Sequence, residues 1–399
     1  MTEQTEESED QTEQPIPADT VSRRSRRTAY AILGLALLVA PLVLPVYHIY
    51  LLTEVLVLAL FATGFNLLYG YTGLLSFGHA MFFGGAGYVV GIFFNEIAQE
   101  GYLTATFGAS APLVAFIVAG VLGVTFAVAL SIPVGYLSVR LEEIYFAMIT
   151  LSFSMALYTL ALKDIGGLTN GSNGLTVILD TATIFGFELA LTDRTVYYFV
   201  VLAVVIPSLF VLWRLVHSPF GMACKAVREN SERAAAVGIN VTRQRWISFV
   251  LSAAFSGIAG VLVVPLHGVV APGLTHWTTS AEPVIISVLG GSFTFIGPAL
   301  GAFAFRYFRW LVTQGVLLEG HWQLVFGLLV LVVLLFFKGG ISGGFVTLGH
   351  WFDRLVNNYR TEGISGAISF VGDSIRDLGQ ELRSGLTRHS DYDSEEGLR

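Results

Sequence analysis

Residues 51–70 read LLTEVLVLALFATGFNLLYG and contain a single charged side chain, that of Glu54. A helix of about 20 apolar residues is long enough to cross the hydrocarbon core of a bilayer. Apolar stretches of similar length recur along the chain. The sequence therefore predicts an all-α, polytopic integral membrane protein with spans at 29–47, 51–70, 74–95, 111–137, 144–162, 195–213, 246–266, 282–312 and 322–338.

The composition of the chain supports this class and excludes others. Of the 399 residues, 54% are hydrophobic and 13% are charged, whereas a soluble globular domain carries about 25% charged residues. So few charges exclude a cytosolic enzyme and a nucleic-acid-binding protein. The single cysteine, Cys224, excludes an intrachain disulfide framework and a cysteine-rich metal site.

Small residues predict close contacts between the spans. In lipid, helices associate through packing of small side chains, which allow their backbones to approach. Gly290-Gly291 and Gly297-Pro298 also divide the long span 282–312 into a short half-helix and a full helix, which gives nine or ten helices in total. We expect close helix packing at three groups of small residues, which are Gly84, Gly87 and Gly91, then Ser252, Ser256 and Gly260, and finally Gly297 and Gly301.

The two ends of the chain differ from its apolar middle. Residues 1–22 contain seven acidic and no basic residues, and residues 350–399 contain nine acidic residues and six arginines. Apolar residues three and four apart predict an amphipathic helix at 367–387, and a mostly solvated tail is the alternative. We predict three parts: a disordered cytoplasmic N-terminus over 1–27, a transmembrane domain over 28–345 and a polar C-terminal tail over 346–399.

Basic residues predict the orientation in the membrane. Four arginines lie between residues 23 and 27, directly before the first span, and residues 214–245 contain six basic and two acidic residues. Short cytoplasmic loops are enriched in lysine and arginine. Six predicted spans separate the two clusters, so both lie on the same side. The N-terminus and loop 214–245 are therefore predicted to be cytoplasmic, and segment 163–194 is predicted to be external.

Motifs for nucleotide hydrolysis and metal catalysis do not occur in this sequence. None of the three lysines, Lys163, Lys225 and Lys338, is followed by serine or threonine, so no GxxxxGK[ST] loop is present. The HExxH motif does not occur either, and the eight histidines are scattered singly. We therefore predict no catalytic residue, no bound metal and no cofactor in this chain, and we do not expect it to be an enzyme.

A few polar residues lie within the predicted spans, where their burial in hydrocarbon is costly. Glu54, Glu143 and Glu282 lie near predicted span ends, which favours carboxylates at the membrane interface. Asn66 and His79 lie deeper. They are predicted to form hydrogen bonds between helices or, as the alternative, to face a substrate path.

The most informative loop is residues 218–240, SPFGMACKAVRENSERAAAVGIN. It predicts a turn at 218–221, a short polar helix, and an alanine-rich helix that begins at Ser231 as its N-cap and ends at Gly238. Such a helix, with small residues on one side and charges on the other, is suited to dock in a groove of a partner. An amphipathic loop resting on lipid headgroups is the alternative.

Five blocks, in the order given, carry a family resemblance. They are GFNLLYGYTGLLSFGHA at 64–80, VRLEEIYFAMITL at 139–151, LTNGSNGL at 168–175, the loop at 218–240 and SVLGGSFTFIGPALG at 287–301. With these blocks the sequence resembles the permease subunits of branched-chain amino acid ABC importers, in particular the M-type (LivM-like) subunit, over residues 50–340. The last span departs from the family pattern, because it ends in FFKGG instead of the usual proline before glycine.

The resemblance implies a permease fold and a set of partners. It implies that the chain translocates branched-chain amino acids (leucine, isoleucine or valine) in the cell membrane together with four kinds of partner. These are a second, H-type permease, two cytoplasmic ABC ATPase subunits, an extracellular substrate-binding protein and the membrane lipid. Urea and short-chain amide permeases share these blocks, so such a substrate is an alternative. An ion-coupled secondary transporter, the alternative of another class, would need acidic residues deep in the spans.

The resemblance also implies roles for residues of this chain. For ATPase coupling these are Arg228, Glu229, Asn230, Glu232, Ala235 and Gly238. For the substrate path they are Asn66, Ser76, His79 and Glu143. For contact with the binding protein they are Asn170, Ser172 and Asn173.

Overall fold

The computed structural model describes residues 34–97 and 106–314, apart from residues 165, 180, 185 and 186, and scattered positions between 324 and 343. By its internal contacts the chain divides into residues 1–49 and residues 50–399. The predicted N-terminal segment 1–27, most of the span 322–338 and the tail 346–399 with its helix 367–387 lie outside the described residues. These assignments remain predictions.

The described residues form eleven α-helices. The helix α3 continues into one π-helical turn at Phe93–Ile97, and short 3-10 turns occur at Gly108–Ser110, Gly171–Asn173 and Pro272–Thr275. The helices are Gly34–Val43 (α1), Val46–Thr72 (α2), His79–Ile92 (α3), Ala111–Ser138 (α4), Glu143–Leu162 (α5), Arg194–Val216 (α6), Pro219–Glu229 (α7), Ser231–Ala236 (α8), Val241–His267 (α9), Trp277–Gly290 (α10) and Gly297–Gln314 (α11).

Four short strands lie in the connections between the helices. Strands β2 and β3 form an antiparallel hairpin, and β1 pairs antiparallel with β4, with Leu175 opposite Val270. The second pair ties the connection after α5 to the residues that follow α9. The strands are Leu175–Thr176 (β1), Thr181–Ile184 (β2), Phe187–Ala190 (β3) and Val269–Val270 (β4).

Within the described residues, five helices are long and apolar enough to cross a membrane. These are α2, α4 with the turn before it, α5, α6 and α9, and they match five of the predicted spans. The fold is therefore the predicted all-α, polytopic one. The predicted span 74–95 is shorter than expected, because its helix α3 begins only at His79. The cause lies at the end of α2, where Gly73 has a φ of 82° and its amide donates to the Tyr69 carbonyl oxygen at 3.1 Å, a common helix-ending arrangement.

The five apolar helices differ in their surroundings. In its most apolar part α2 is 94% buried and α9 is 72% buried, whereas α5 is 22% buried. Helix α3 packs against both α9 and α4. The apolar surface of α5 faces outward, as a lipid-facing helix requires. The structure thus places α2, α3 and α9 at the centre and α4, α5 and α6 around them.

Close backbone contacts join the central helices at the predicted small residues. A Cβ atom placed on Gly260 of α9, one of the predicted positions, would lie 1.9 Å from the Phe83 carbonyl oxygen of α3. One on Gly64 of α2, which is not in the predicted groups, would lie 2.7 Å from Phe255 Cβ. Side chains larger than hydrogen therefore do not fit at either position. The predicted role of small residues in helix packing is confirmed.

The predicted division of the span 282–312 is also confirmed. Helix α10 ends at Gly290, Gly291 has a φ of 107°, and α11 begins at Gly297. A Cβ on Gly301 would lie 2.0 Å from the Ile286 carbonyl oxygen. The two helices therefore pack directly against each other through their glycines.

Candidate functional site

The loop between α6 and α9 is built from the two short helices α7 and α8. Pro219 occupies the first turn of α7, directly after the extended residue Ser218. Proline is favoured at this position because its fixed φ suits a helix and its missing N–H is not needed there. The predicted turn at 218–221 is therefore wrong, and α7 begins at Pro219.

Helix α7 is attached to α9 by polar contacts. The Gln244 side-chain amide donates to the Phe220 carbonyl oxygen at 3.0 Å, and the buried Cys224 thiol lies 3.2 Å from the Ser248 hydroxyl. Both contacts join the loop to the first two turns of α9. Side-chain contacts therefore join α7 to α9.

Arg228, at the end of α7, points toward the membrane domain. Its guanidinium donates to the Gly70 carbonyl oxygen near the end of α2 and lies 5.0 Å from the centre of the Phe293 ring. The cation is favourably placed, since the C-terminal end of a helix carries a partial negative charge. Glu229 lies 3.8 Å from Arg228 but is 73% exposed, so this ion pair contributes little. Arg228 therefore anchors the loop, and Glu229 faces away from it.

Helix α8 starts and ends on side-chain and backbone features that can be read in the loop sequence. The Asn230 side-chain oxygen accepts from the Arg233 amide at 2.8 Å, so Asn230 is the N-cap and the predicted N-cap Ser231 is wrong. Both residue types are good caps, and the extended conformation of Asn230 decides between them. Gly238 has a φ of 89° and lies just beyond α8, as predicted.

The surface called the outer face of α8 is formed by Glu232 and Ala235 of the helix and by Val237 and Gly238, which directly follow it. All four are exposed, Val237 by 78%, and no described heavy atom lies within 4 Å of a Cβ placed on Gly238. The neighbouring Ala234 is buried against the chain, with 3% exposure. Small and apolar side chains thus form a surface that the described residues leave uncovered.

Two of the residues predicted for a substrate path, Ser76 and His79, meet in a buried hydrogen-bonded group. His79 Nε2 lies 2.8 Å from the Ser252 hydroxyl oxygen, and Nδ1 lies 3.0 Å from the Ser76 hydroxyl oxygen. Ser252 donates its hydrogen to the Gly64 carbonyl oxygen, so it accepts from Nε2–H of His79. Both ring nitrogens of His79 therefore have a hydrogen-bond partner.

The other two predicted path residues lie elsewhere. Asn66 is buried, and its amide donates to the Ser292 carbonyl oxygen at 2.9 Å, which joins α2 to the connection between α10 and α11. Glu143 is the first residue of α5. The contacts of Asn66, Ser76 and His79 favour packing roles in this chain, and their assignment to a path remains a prediction.

The residues predicted to contact a binding protein share one ordered loop. Asn170, Ser172 and Asn173 are all exposed. Asp164 holds this loop, because its carboxylate accepts from the Thr169 amide at 2.8 Å, from the Thr169 hydroxyl at 3.0 Å and from the Asn170 amide at 3.0 Å. These hydrogen bonds, chiefly those from Thr169, lower the pKa of Asp164.

The structure contains an ion pair between α2 and α11 that the sequence alone does not predict. Glu54 Oε2 lies 2.6 Å from Arg306 Nε, and the two side chains are 13% and 15% exposed. The sequence favours an interfacial position for Glu54 but gives it no partner. The position of Arg306 within an apolar predicted span could have indicated that it has a charged partner. Among the described residues, no group of histidine, cysteine, aspartate and glutamate could hold a metal ion.

Comparison with known proteins gives a consistent result. Residues 47–335 match the family described as branched-chain amino acid transport system / permease component. The permease protein LivM of Salmonella typhimurium is 30% identical over 260 residues, 60% of this chain and 57% of the relative. The chain thus spans little more than half of that relative's length.

Two further relatives cover more of their own length. The permease protein LivH of Salmonella typhimurium is 26% identical over 69% of this chain and 88% of its own length. A probable branched-chain amino acid transport permease protein LivM of Methanocaldococcus jannaschii is 23% identical over 69% of this chain and 87% of its own length. No solved structure matches the chain.

Proposed function

The chain belongs to the branched-chain amino acid permease family, and from this premise we propose that it is the membrane-spanning subunit of an ATP-driven importer. It is a multi-pass membrane protein. The proposed substrates are leucine, isoleucine and valine. Their proposed path is shared with a second, H-type permease, and the similarity to both LivM and LivH relatives supports this pairing.

The feature that carries the coupling part of the proposal is the exposed outer face of α8. Two cytoplasmic ATPase subunits would provide the groove in which it docks, since this chain contains no P-loop. Small side chains such as Ala235 allow close approach, and Glu232 can pair with a basic residue of the groove. The basic loop 214–245 supports a cytoplasmic position for this face and for the N-terminus.

The contacts of the loop suggest how ATPase movement reaches the membrane helices. Arg228 joins the loop to the end of α2 through the Gly70 carbonyl oxygen, and Gln244 joins α7 to α9. Both α2 and α9 lie at the centre of the described helices. A displacement of α8 would therefore act on the two helices best placed to open or close a path.

The proposal extends to the opposite side of the membrane. There the loop with Asn170, Ser172 and Asn173 would receive the substrate-loaded binding protein. Its exposed amide and hydroxyl groups can form hydrogen bonds, and Asp164 holds the backbone beneath them in one conformation. This loop is separated from the α7–α8 loop by the whole of α6, as delivery and coupling on opposite faces require.

Transport by the reconstituted complex tests the proposal. The chain is placed in proteoliposomes with its H-type permease, its ATPases and its binding protein, and uptake of labelled leucine and urea is measured with and without ATP. We expect ATP-dependent leucine uptake and no ATPase activity from the chain alone. Leucine uptake driven by an ion gradient without the ATPases would overturn the proposal. ATP-dependent uptake of urea but not of leucine would show that urea, and not a branched-chain amino acid, is the substrate.

A further inference from the structure

Helices α2, α10 and α11 bring charged side chains to one level of the bundle. Glu54 lies on α2, Glu282 on α10, and Arg306 and Arg309 on α11. Glu282 interacts electrostatically with Arg309, Glu54 and Arg306. These four residues are called the charged layer below.

The charged layer continues a contiguous apolar seam between the same helices. Leu58, Ile286 and Ala302 belong to one buried cluster. Glu54 precedes Leu58 by four residues, Glu282 precedes Ile286 by four, and Arg306 follows Ala302 by four. Residues four apart lie on the same face of a helix. On each of the three helices, the residues at the interface therefore change from apolar to charged at the same level.

The two charged groups of the ion pair in this layer are close together but not fully buried. Glu54 Oε2 and Arg306 Nε are 2.6 Å apart, while each side chain keeps some exposure, 13% and 15%. Neither Glu54 Oε2 nor Arg306 Nε has a hydrogen bond of normal geometry, so the carboxylate and the guanidinium are close but not aligned for a hydrogen bond. A desolvated pair of this kind is costly to separate unless other charges take the place of each partner.

The charged layer lies far from the coupling loop. Along α2, Glu54 precedes Gly70, which accepts from Arg228, by 16 residues, or about 24 Å at 1.5 Å per residue. In the proposed orientation the layer is on the external side of the bundle. A substrate released by the binding protein would reach it before the apolar seam.

We propose, on the basis of the proposed function, that Glu54 and Arg306 recognise the two charges of a zwitterionic amino acid. Arg306 binds the α-carboxylate and Glu54 binds the α-ammonium group, so that the substrate replaces each partner of the ion pair with a group of the same charge. The apolar side chain then enters the seam at Leu58 and Ile286. Urea carries no charge and cannot replace either partner, so the charged layer favours amino acids over neutral amides.

The alternative is that the ion pair only holds α2 to α11, and a charge-swapped variant separates the two roles. Glu54→Arg combined with Arg306→Glu keeps an attraction between the helices but reverses its direction relative to the seam. We expect thermal stability close to wild type and leucine uptake reduced at least about tenfold, because each charged group of a substrate in the proposed orientation then meets a side chain of like charge. Wild-type uptake by the swapped variant would overturn the proposal.

A second variant keeps the test decisive if the swapped pair does not fold. Glu54→Gln combined with Arg306→Met removes both charges and leaves side chains of similar size, a change that buried ion pairs often tolerate. We expect it to fold and to lose leucine uptake to the same degree, and uptake at the wild-type rate would overturn the proposal. Glu96→Gln, an exposed carboxylate outside the charged layer, is the control and should transport normally.

The result also separates this proposal from the proposed function. If the wild-type complex does not take up leucine, the proposed function fails regardless of the variants. If the wild type transports leucine and both pair variants do so equally well, only the role of the charged layer fails.

Discussion

Small residues serve opposite purposes in two regions of this molecule. Between α3 and α9, Gly260 lies so close to the Phe83 backbone that a Cβ would come within 1.9 Å of its carbonyl oxygen. On the outer face of α8, Ala235 and Gly238 are exposed. The first region is already packed by this chain, and the second is not covered by any residue that the structure describes.

The difference shows how the same residue type should be interpreted in the two places. In the interior, a small residue is needed because another backbone of the same chain occupies the space. On α8, the described part of the chain leaves the space unfilled, and in our proposal a second protein fills it. Added bulk should therefore reduce stability in the first region and reduce coupling without loss of stability in the second.

Gly260→Ala should have the largest effect on stability. The new methyl group meets the Phe83 carbonyl oxygen, so α3 and α9 have to separate, and overpacking of this kind costs about 1–3 kcal/mol. Gly273→Ala is the matched control, because no described heavy atom lies within 4 Å of its Cβ position. Thermal unfolding of the purified protein measures both, and equal stability of the two variants would contradict the packing interpretation.

Phenylalanine at two neighbouring alanines of α8 compares the two kinds of surface within one helix. Ala235→Phe adds bulk to the exposed side, so stability should stay near wild type. The coupled uptake rate should fall about five- to 150-fold, the equivalent of 1–3 kcal/mol in a docking equilibrium. Ala234→Phe adds it to the buried side and should lower the unfolding temperature.

The two alanine variants are measured in the reconstituted complex, with ATP hydrolysis and leucine uptake followed together. Wild-type coupling by Ala235→Phe would show that the outer face of α8 does not dock. Gly238→Val is a weaker test, because the φ of 89° at Gly238 strains any residue with a Cβ, whether or not a partner binds there.

The smallest effect is expected at Asp164, which orders an exposed loop. Its pKa is lowered by the hydrogen bonds from Thr169, so its contribution to loop order is complete above the unfolded pKa of about 3.9. It is lost as the pH falls through the lower, folded pKa. The protection of the Thr169 and Asn170 amides, measured as the hydrogen-exchange rate relative to that of an unstructured peptide at the same pH, should therefore stay constant from pH 7 to about 4 and fall below it.

Asp164→Asn provides the control for this measurement. The asparagine oxygen still accepts hydrogen bonds but does not titrate, so the protection of the two amides should be weaker and free of the acid transition. A transition of the same size in both proteins would assign the change to another group.

Features that depend on the local sequence could be predicted well. The apolar spans, the division of 282–312 and the close packing at Gly260 and Gly301 follow from hydrophobicity and side-chain size, which are properties of the residues themselves. The predicted ends of the short helices were less accurate. Asn230 rather than Ser231 caps α8, and Pro219 begins α7, because neighbouring residues of similar preference are distinguished only by the backbone they adopt.

The sequence by itself determined that this chain is a helical membrane protein of the permease family, since length, apolarity and motif order suffice for that. Only the tertiary structure decided the partners of its polar groups. Glu54 and Arg306 are separated by 252 positions in the chain and meet at 2.6 Å, and His79 is satisfied by Ser252 from another helix. Hydrophobicity is additive along a sequence, whereas an ion pair or a hydrogen bond depends on which helices become neighbours.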